Sequence, residues 1–196
     1  MSKVITISRQ YGSGGRELGE KLAAKLGIPF YDKELINMIA RKENIEVSLL
    51  EACDESEPDL DSYTARDIAP DYQIDMAKKV FEAYSRVIRE LAEKGSCVLV
   101  GRCAEMIVPE SVKVFVYAGL DARISRIRRI HSAEEMSESR AEKEIRRMDR
   151  RRRNYHKFYC NKEWGQMEDY DICVNTTDIG VDGALEAVAA YVEQKK

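Results

Sequence analysis

Residues 4–18 read VITISRQYGSGGREL, which is a short apolar strand followed by a glycine-rich loop and the start of an amphipathic helix. This order of elements places several backbone N–H groups and the positive end of a helix dipole around one point. Glycines in such a loop let the backbone approach a ligand closely. The stretch predicts a phosphate-binding loop, although three glycines after a strand are also typical of a tight strand-to-helix turn.

The charged residues that open the helix favour both interpretations. Arg16 opposes the helix dipole in the first turn, and a bound anion would remove that conflict. Glu17 satisfies the same dipole without any ligand. The residues that we expect to bind the donor phosphates are Gly12, Ser13, Gly14, Gly15, Arg16 and Glu17.

Apolar periodicity divides the rest of the chain into short strands and helices. It predicts strands over residues 3–8, 28–31, 97–100, 112–117 and 172–175. It predicts helices over residues 16–26, 77–91, 121–130, 137–157 and 181–192, with a further helix directly after Asp32. Short apolar strands that alternate with helices are typical of an α/β fold, in which helices cover both faces of a parallel sheet.

Size and composition limit the class of protein. The chain has 196 residues and a net charge of −3, which excludes a uniformly basic nucleic-acid-binding protein. No segment has the apolar length of a membrane span, and the N-terminal residues lack a signal-peptide core. The five cysteines show neither a CxxC pair nor zinc spacing, so we expect reduced thiols in a cytoplasmic protein.

A second candidate feature follows the predicted strand 97–100. Gly101 and Arg102 stand at the end of this strand, where a guanidinium group can bind a phosphate through two hydrogen bonds. Because ligands lie at the carboxyl ends of parallel strands, we expect Arg102 to meet the glycine loop in space. The alternative is a surface arginine paired with a carboxylate.

Residues 140–157 are strongly basic, with nine Lys or Arg and three acidic residues. Arg146, Arg150 and Arg153 share one helical face, which mutual repulsion destabilises unless an anion lies against it. That anion could be a phosphate, the acidic residues of 51–61, or RNA. RNA is included because four aromatic residues follow closely, namely Tyr155, Phe158, Tyr159 and Trp164. The alternative is a solvated face.

Residues 51–61 contain six acidic residues and no basic residue. They are Glu51, Asp54, Glu55, Glu57, Asp59 and Asp61. We interpret them as part of a mobile inserted lobe or of a solvated loop. Without a ligand, we expect these acids to rest against the arginines of the basic helix until a phosphate displaces them.

Four groups of residues together resemble the cytidylate-kinase-like family, within the P-loop nucleoside monophosphate kinases. The first two groups are Ile5–Glu17 (ITISRQYGSGGRE) and Gly27–Asp32 (GIPFYD). The third is Val100-Gly101-Arg102 with Pro109, Lys113 and Phe115. The fourth is Asp149–Arg153 with Tyr155, Tyr159, Trp164-Gly165, Tyr170-Asp171 and Asn175-Thr176. The resemblance covers nearly the whole chain, and the groups are specific for the family only in combination.

This resemblance implies a single kinase-like domain over residues 1–196, with a P-loop NTPase-like, five-stranded parallel sheet flanked by helices. It implies a helical inserted lobe for the acceptor at about 33–75 and a basic lid at about 137–165. ATP and Mg²⁺ are the implied cofactors and a small nucleotide the implied partner, with no membrane and no nucleic acid expected. The residues implied for catalysis are Arg16, Asp149, Arg150 and Arg153, and those for the acceptor are Asp32, Arg102, Arg146 and Tyr155.

The chain departs from true cytidylate kinases at several positions of their motifs. Their loop reads G-x-x-G-x-G-K-[GS]-T, whereas here Arg9 stands at the first glycine and Gly15 at the lysine. Arg16 and Glu17 stand where small or hydroxyl residues belong, so the usual loop cation and Mg²⁺-binding hydroxyl are both missing. Met38 replaces an acceptor-binding arginine, and Cys103 replaces a carboxylate that would read the base.

Phosphoryl transfer explains the glycine loop, Arg102 and the basic helix together, because it needs positioning, cations over the migrating charge and exclusion of water. The leading hypothesis is an ATP-dependent kinase for a small acceptor such as the nucleoside monophosphate CMP. The alternatives are a catalytically inactive nucleotide-binding module and an RNA-binding protein that uses residues 140–164. The sequence leaves open the metal ligands, the oligomeric state and the roles of Cys103 and Cys160.

Overall fold

The chain forms a five-stranded parallel sheet, seen in a computed structural model that describes residues 3–55, 70–131 and 136–195. The strands are β1 (Val4–Arg9), β2 (Phe30–Tyr31), β3 (Cys97–Val100), β4 (Val112–Tyr117) and β5 (Ile172–Asn175). Their order across the sheet is β2-β3-β1-β4-β5. The predicted parallel α/β sheet is therefore confirmed, with the strand that leads into the glycine loop at its centre.

The described part of the chain also contains eight α-helices and one short 3₁₀ turn, which lie between the strands or follow the last one. The helices are α1 (Gly15–Leu26), α2 (Glu34–Glu43), α3 (Val47–Cys53), α4 (Pro70–Lys94), α5 (Ala104–Ile107), α6 (Leu120–Ile130), α7 (Glu138–Cys160) and α8 (Gly180–Gln194). The 3₁₀ turn is Met167–Asp169. Among the described helices, none combines the length and the apolar content that crossing a bilayer requires.

Two apolar cores cover the two faces of the sheet. On one face, Ile5 and Ile7 of β1 pack with Leu18 and Leu22 of α1 and with Val188 of α8. On the other face, alternate residues of β3 pack with α2 and α4; the buried residues there include Leu35, Ile39, Ile88, Cys97 and Leu99. Since both faces of each central strand are buried, the strands are nearly continuous apolar runs, and this made them readable from the sequence.

Helix α7 is packed at both ends against different elements. A small cluster of Ile127, Ala141 and Ile145 joins its first half to α6. In its second half, the Tyr159 ring stacks on Phe81 of α4, with ring centroids 4.3 Å apart. The basic helix therefore bridges α6 and α4.

The segment after α2 shows where periodicity loses its predictive value. Residues 47–53 form α3, which the sequence pattern did not predict, because Leu50 is its only buried residue. The next helix begins at Pro70, before the apolar stripe that starts at Ala77. Three of the six acids of residues 51–61, Glu57, Asp59 and Asp61, lie outside the described residues, as does part of the expected lobe at 33–75.

Candidate functional site

The carboxyl ends of β1 and β3 carry both features singled out in the sequence. The glycine loop of residues 10–14 follows β1, and Gly101 and Arg102 follow the neighbouring β3. Arg16 and Arg102 then meet at a third element, because both contact the carboxylate of Asp32, which follows β2. The structure therefore brings the loop helix and Arg102 together at the edge of the sheet where ligands of α/β proteins usually bind.

The loop backbone has a conformation that glycine adopts readily and other residues rarely do. Gly12 and Gly14 have φ angles of 79° and 84°. Side chains from other elements take up the loop carbonyl groups: Arg123 bonds to Tyr11, Arg126 to Gly12 and Thr176 to Ser13. The loop is therefore held from outside by its acceptors.

The backbone N–H donors at the end of the same loop are unpaired. In the described part of the chain, the backbone N–H groups of Gly14, Gly15 and Arg16 have no hydrogen-bond partner. Unpaired N–H groups are expected at the start of a helix, where the dipole is positive. The loop thus presents donors of the kind that bind phosphate oxygens.

The side chains of the predicted loop residues have separate partners. The Ser13 hydroxyl is buried and donates to the carbonyl of Gln10 at 2.8 Å. Glu17 pairs with Lys21 at 3.1 Å on the exposed side of α1. Arg16 donates from Nε to Asp32 Oδ2 at 2.8 Å, with its side chain 51% exposed. Its Nη1 also pairs with Glu20 at 3.3 Å, so Arg16 has two carboxylate partners while about half of its side chain faces solvent.

Arg126 of α6 also borders the loop. Its Nη1 donates to the Gly12 carbonyl at 3.0 Å, while its Nε is buried and without a hydrogen-bond partner among the described residues. A buried unpaired donor beside a phosphate-binding loop is costly unless a ligand accepts its proton. Arg126 is therefore a candidate ligand contact, and the sequence patterns did not single it out.

Arg9 and Gly15 share one space. A Cβ atom at Gly15 would lie less than 3.0 Å from Cβ of Arg9, a separation that real Cβ atoms essentially never show. The two departures from the family loop, arginine for the first glycine and glycine for the lysine, are therefore one structural change. The Arg9 side chain excludes any side chain at position 15.

A buried cluster of charges lies at the end of β1, with the Glu55 carboxylate at its centre. Glu55 pairs with the guanidinium group of Arg9 and accepts from Nε of Arg152 at 3.1 Å. Its Oε1 also accepts from the backbone N–H of Arg102 at 3.3 Å. Arg9, Arg102, Arg152 and Glu55 each have less than a tenth of their surface exposed. The acidic segment and the basic helix therefore meet, as expected, in an interior ion-pair cluster.

Arg102 is the most deeply buried arginine of this cluster. Its guanidinium group donates to both carboxylate oxygens of Asp54, at 2.7 and 3.0 Å, and to the carbonyl of Asp32 at 3.0 Å. It also lies over the ring of Tyr84, at 5.4 Å from the centroid. The donors of Arg102 thus bind protein oxygens in this structure, so a phosphate would have to replace Asp54 or Glu55.

The electrostatics of the cluster favour an anion at its centre. Burial by itself raises the pKa of Glu55, but the charges of Arg9, Arg152 and Arg102 outweigh it and hold that pKa far below its ordinary value. Burial and the like charge of Arg9 lower the pKa of Arg152. Arg9 and Arg152 therefore share the Glu55 carboxylate as their partner, whereas Arg102 pairs with Asp54.

Asp149 connects the basic helix to the glycine loop. Its carboxylate accepts from the backbone N–H of Tyr11 at 2.8 Å and from Nη1 of Arg123 at 2.5 Å. Asp149 is buried, and both of its oxygens are used. These contacts place Asp149 where it orients α7 relative to the loop.

Of the other predicted residues of α7, the three arginines lie apart from the buried cluster, whereas Tyr155 lines the same small cavity as Arg102 and Glu55. Arg146, Arg150 and Arg153 are exposed; Arg146 pairs with Glu142 at 2.7 Å, and the other two have no ion pair with any described residue. Tyr155 is buried, with its ring 6.1 Å from that of Phe81. The structure therefore does not bring these four side chains to the glycine loop.

Packing accounts for most of the aromatic residues that suggested RNA binding. Tyr155 and Tyr159 lie in one ring cluster with Phe81, and Trp164 packs edge-on against Phe115 at 5.4 Å. Only Phe158 is an exposed large apolar side chain among the four. A row of free stacking surfaces is not formed by these residues.

Comparison with known proteins gives consistent results. Residues 4–178 match the model of the cytidylate kinase-like family. A protein from Methanothrix thermoacetophila named cytidylate kinase is 29% identical over 98% of this chain and 99% of its own length. An uncharacterized protein from Eubacterium ventriosum has a similar solved structure, with a TM-score of 0.73, 28% identity, and coverage of 98% of this chain and 99% of that one.

The fold is also found in a more distant kinase. The shikimate kinase from Bacteroides thetaiotaomicron superposes with a TM-score of 0.57 at 16% identity, over 98% of this chain and 99% of that one. A likeness at this identity concerns the fold alone, which is that of P-loop kinases, as predicted.

The shared space of Arg9 and Gly15 predicts a strong coupling between the two positions. We expect Gly15→Lys to destabilise the chain by about 2–3 kcal/mol, because its side chain overlaps that of Arg9. Arg9→Gly removes the overlap, so the double variant should be more stable than the sum of the single effects by about 1–3 kcal/mol. The free energies of unfolding of the wild type, the two single variants and the double variant, measured by denaturant unfolding, give this coupling.

A second cycle with Gly27→Lys serves as the control, because a Cβ atom at Gly27 meets nothing within 4 Å. We expect its effect and that of Arg9→Gly to be additive. Additive effects in the Gly15 cycle as well would show that Arg9 is not the reason for glycine at position 15.

The buried Glu55 carboxylate predicts a pH-dependent stability. We expect Glu55→Gln to lower the free energy of unfolding at pH 7 by about 3 kcal/mol, because it leaves buried guanidinium groups uncompensated. Since the pKa of Glu55 is lower in the folded chain, this contribution is complete above about pH 4.3 and is lost as the pH falls below that value. The difference in the free energy of unfolding between the wild type and Glu55→Gln should therefore decrease as the pH is lowered from about 5 to about 3.

Chemical denaturation at several pH values measures this difference. The control is Glu51→Gln, which alters an exposed acid of the same segment and should change stability by less than about 0.5 kcal/mol at pH 7. A constant difference between the wild type and Glu55→Gln down to pH 3 would contradict the assignment.

Proposed function

The chain belongs to the cytidylate kinase-like family, and from this premise we propose that it transfers a phosphoryl group from ATP to a nucleoside monophosphate, with CMP as the first acceptor to test. One observation carries the proposal. An N–H-rich helix start and three buried guanidinium groups lie side by side at the carboxyl ends of β1 and β3. Phosphoryl transfer depends on such an arrangement, because it needs oriented phosphates and cations over the migrating charge.

The glycine loop fits the donor phosphates. The unpaired N–H groups of Gly14, Gly15 and Arg16 are the donors for phosphate oxygens, and the orphaned Nε of Arg126 is a further one. A Cβ at Gly14 would come within 2.6 Å of the Val181 side chain, so this position of the loop has room only for glycine.

Mg²⁺ bound with ATP would neutralise negative charge that develops during transfer. The oxygen ligands that Mg²⁺ prefers are present near the loop in Glu17 and Asp32. Each is now paired with a cation, Glu17 with Lys21 and Asp32 with Arg16. We therefore propose these two carboxylates as its protein ligands, in exchange for their present partners.

Arg9 is our candidate for the cation that the family lysine supplies. It is attached to the strand instead of the loop, but its side chain fills the space beside Gly15 where a lysine would begin. Its guanidinium group is permanently charged and can bind two phosphate oxygens. Arg16, half exposed at the other side of the loop, is the second cation of the donor site.

The acceptor phosphate is proposed to take the place of the Glu55 carboxylate. Arg152, through its guanidinium group, and Arg102, through its backbone N–H, hold that carboxylate in an interior site, as they would hold a phosphate dianion. Asp32 bonds both Arg16 and Arg102, so it connects the donor and acceptor sides. Binding of the acceptor would then release the acidic segment from the cluster.

Helix α7 is proposed to act as the lid. Asp149 fixes it to the glycine loop, while Arg150 and Arg153 stand exposed on its outer face. These two arginines would reach the transferring phosphoryl group only after the helix moves. Asp149 is in this view a positioning residue. Tyr155 lines the cavity beside Arg102 and Glu55, where it would border the acceptor phosphate, while Arg146 has no contact that assigns it to the acceptor.

The second candidate function is a nucleotide-binding module without catalysis. The observation that favours it is that Arg9, Arg102 and Arg152 already have carboxylate partners, so the cluster is neutralised without substrate. Nucleotide binding with no product from any acceptor would support this alternative.

The test is an assay of ADP and phosphorylated product with ATP and Mg²⁺ over a panel of nucleoside monophosphates. We expect product with at least one pyrimidine nucleotide. Arg16→Gln should lower kcat/KM about 100-fold or more, because it removes a cation from the transferring phosphates. The matched control is Arg86→Gln on α4, an arginine with the same degree of exposure, 50% against 51%, that pairs with Glu43 outside the site.

Three outcomes decide between the candidates. Equal kcat/KM for Arg16→Gln and Arg86→Gln would exclude Arg16 from the reaction. Nucleotide binding detected by calorimetry, with no product from any acceptor, would favour the non-catalytic binding module over the kinase. Absence of both binding and turnover would overturn the proposed function.

A further inference from the structure

A group of metal-ligating side chains lies beside the charge cluster. The Sγ atoms of Cys103 and Cys160 and an imidazole nitrogen of His156 are all within 4.8 Å of one another. Cys103 and His156 are buried, and Cys160 is half-buried. The proposed phosphoryl transfer uses none of these three residues, and the sequence analysis assigned no role to the two cysteines.

Two segments far apart in the chain build this group. His156 and Cys160 are four residues apart on α7, so their side chains share one helical face. Cys103 lies in the turn between β3 and α5 with a φ of 54°, a left-handed conformation that is strained for a residue with a side chain. The fold therefore holds the Cys103 thiol in an uncommon backbone geometry against the end of α7.

A buried carboxylate completes the surroundings of the histidine. Glu105 is 2% exposed, and its Oε1 lies 3.2 Å from Nε2 of His156. The other ring nitrogen lies 3.2 Å from the carbonyl oxygen of Lys162. A histidine that binds a metal through one ring nitrogen usually donates from the other to a carboxylate or a carbonyl, and His156 has one of each available.

A small cavity provides room for one more ligand. Its volume is about 10 Å³. Cys103, His156 and Glu105 line one side of it, and the charge cluster contributes the other side through Arg9, Glu55, Arg102 and Arg152. This is about the space that a single water molecule needs. Three protein ligands and one water complete a four-coordinate site.

We propose that Cys103, His156 and Cys160 form a Zn²⁺ site, with water as the fourth ligand. Thiolate sulfur and imidazole nitrogen are the ligands that zinc prefers, and four-coordination is its usual geometry in proteins. Binding is not a redox step: each thiol loses one proton to solvent, and the coordinating imidazole nitrogen is unprotonated. The site would tie the end of α7 to the turn that carries Arg102, and it does not depend on the proposed kinase activity.

Co²⁺ is the spectroscopic probe for the test, added to the reduced, chelator-treated full chain. We expect one Co²⁺ per chain, with the sulfur-to-cobalt charge-transfer band of thiolate ligation and the intense visible absorption of a four-coordinate ion. Zn²⁺ should displace it. Cys160→Ser should weaken the charge-transfer band and lower the affinity for Zn²⁺ by at least about tenfold.

Cys173→Ser is the matched control, because Cys173 is also half-buried but lies in β5, outside the group. It should leave the spectrum and the affinity unchanged. Glu105→Gln should lower the affinity about tenfold while the charge-transfer band remains, since it changes only the group that orients His156. Circular dichroism of each variant verifies folding. Cys103→Ser should show the same loss of metal binding as Cys160→Ser. If the buried Cys103→Ser does not fold, the half-buried Cys160→Ser alone tests the thiolate ligation.

Several results would overturn the proposal. One is the unchanged spectrum of hydrated Co²⁺ in the presence of the reduced wild type. Another is equal metal binding by Cys160→Ser and Cys173→Ser. A third is a Cys103–Cys160 disulfide in the purified chain that, once reduced, still takes up no metal.

Discussion

The position of the Arg9 side chain constrains much of the site. It excludes a side chain at Gly15, and a Cβ at Gly101 would come within 3.0 Å of both Arg9 and Glu55. Two glycines, one at the start of α1 and one after β3, therefore pack directly against this buried arginine. The same guanidinium group needs a buried anion, and Glu55 supplies it. Glycine loop, β3 turn and acidic segment thus form one arrangement that must be kept or changed together.

The sequence was sufficient for the sheet and for the meeting of Arg16 and Arg102, because buried parallel strands and strand ends follow simple rules. It was insufficient for Glu55 and Arg152, whose partners are distant in the chain. A usable signal existed for Arg152: Ala141, Ile145 and Asp149 recur every four residues and mark the inner face of α7, which continues to Arg152 and His156. The sequence analysis instead grouped the arginines by charge and chose Arg146, Arg150 and Arg153, which face solvent on the opposite side of the helix. The acidic pattern of residues 51–61 included Glu55, but nothing in it distinguished Glu55 from the other five acids, since α3 buries only one apolar residue.

The buried face of α7 contacts the rest of the site at three positions along the helix. Asp149 holds the glycine loop, Arg152 holds Glu55, and His156 lies against Glu105. Each contact joins charged or polar groups in the interior, where separating them without replacement costs several kcal/mol. A helix held in this way is not free to move, and this applies to the proposed lid. It moves only when another anion or ligand takes over the interactions that it gives up.

This constraint gives the departure from the family loop a physical meaning. A loop lysine reaches its phosphate on a flexible side chain, whereas Arg9 comes from a strand and is neutralised by Glu55. In the proposed reaction, Arg9 becomes free to stabilise the donor phosphates only after an acceptor phosphate has displaced Glu55. The carboxylate that stabilises the resting chain would then also suppress transfer to water, because without an acceptor the cation needed for transfer remains occupied. Replacement of the lysine is therefore compatible with catalysis, provided that catalysis is coupled to acceptor binding.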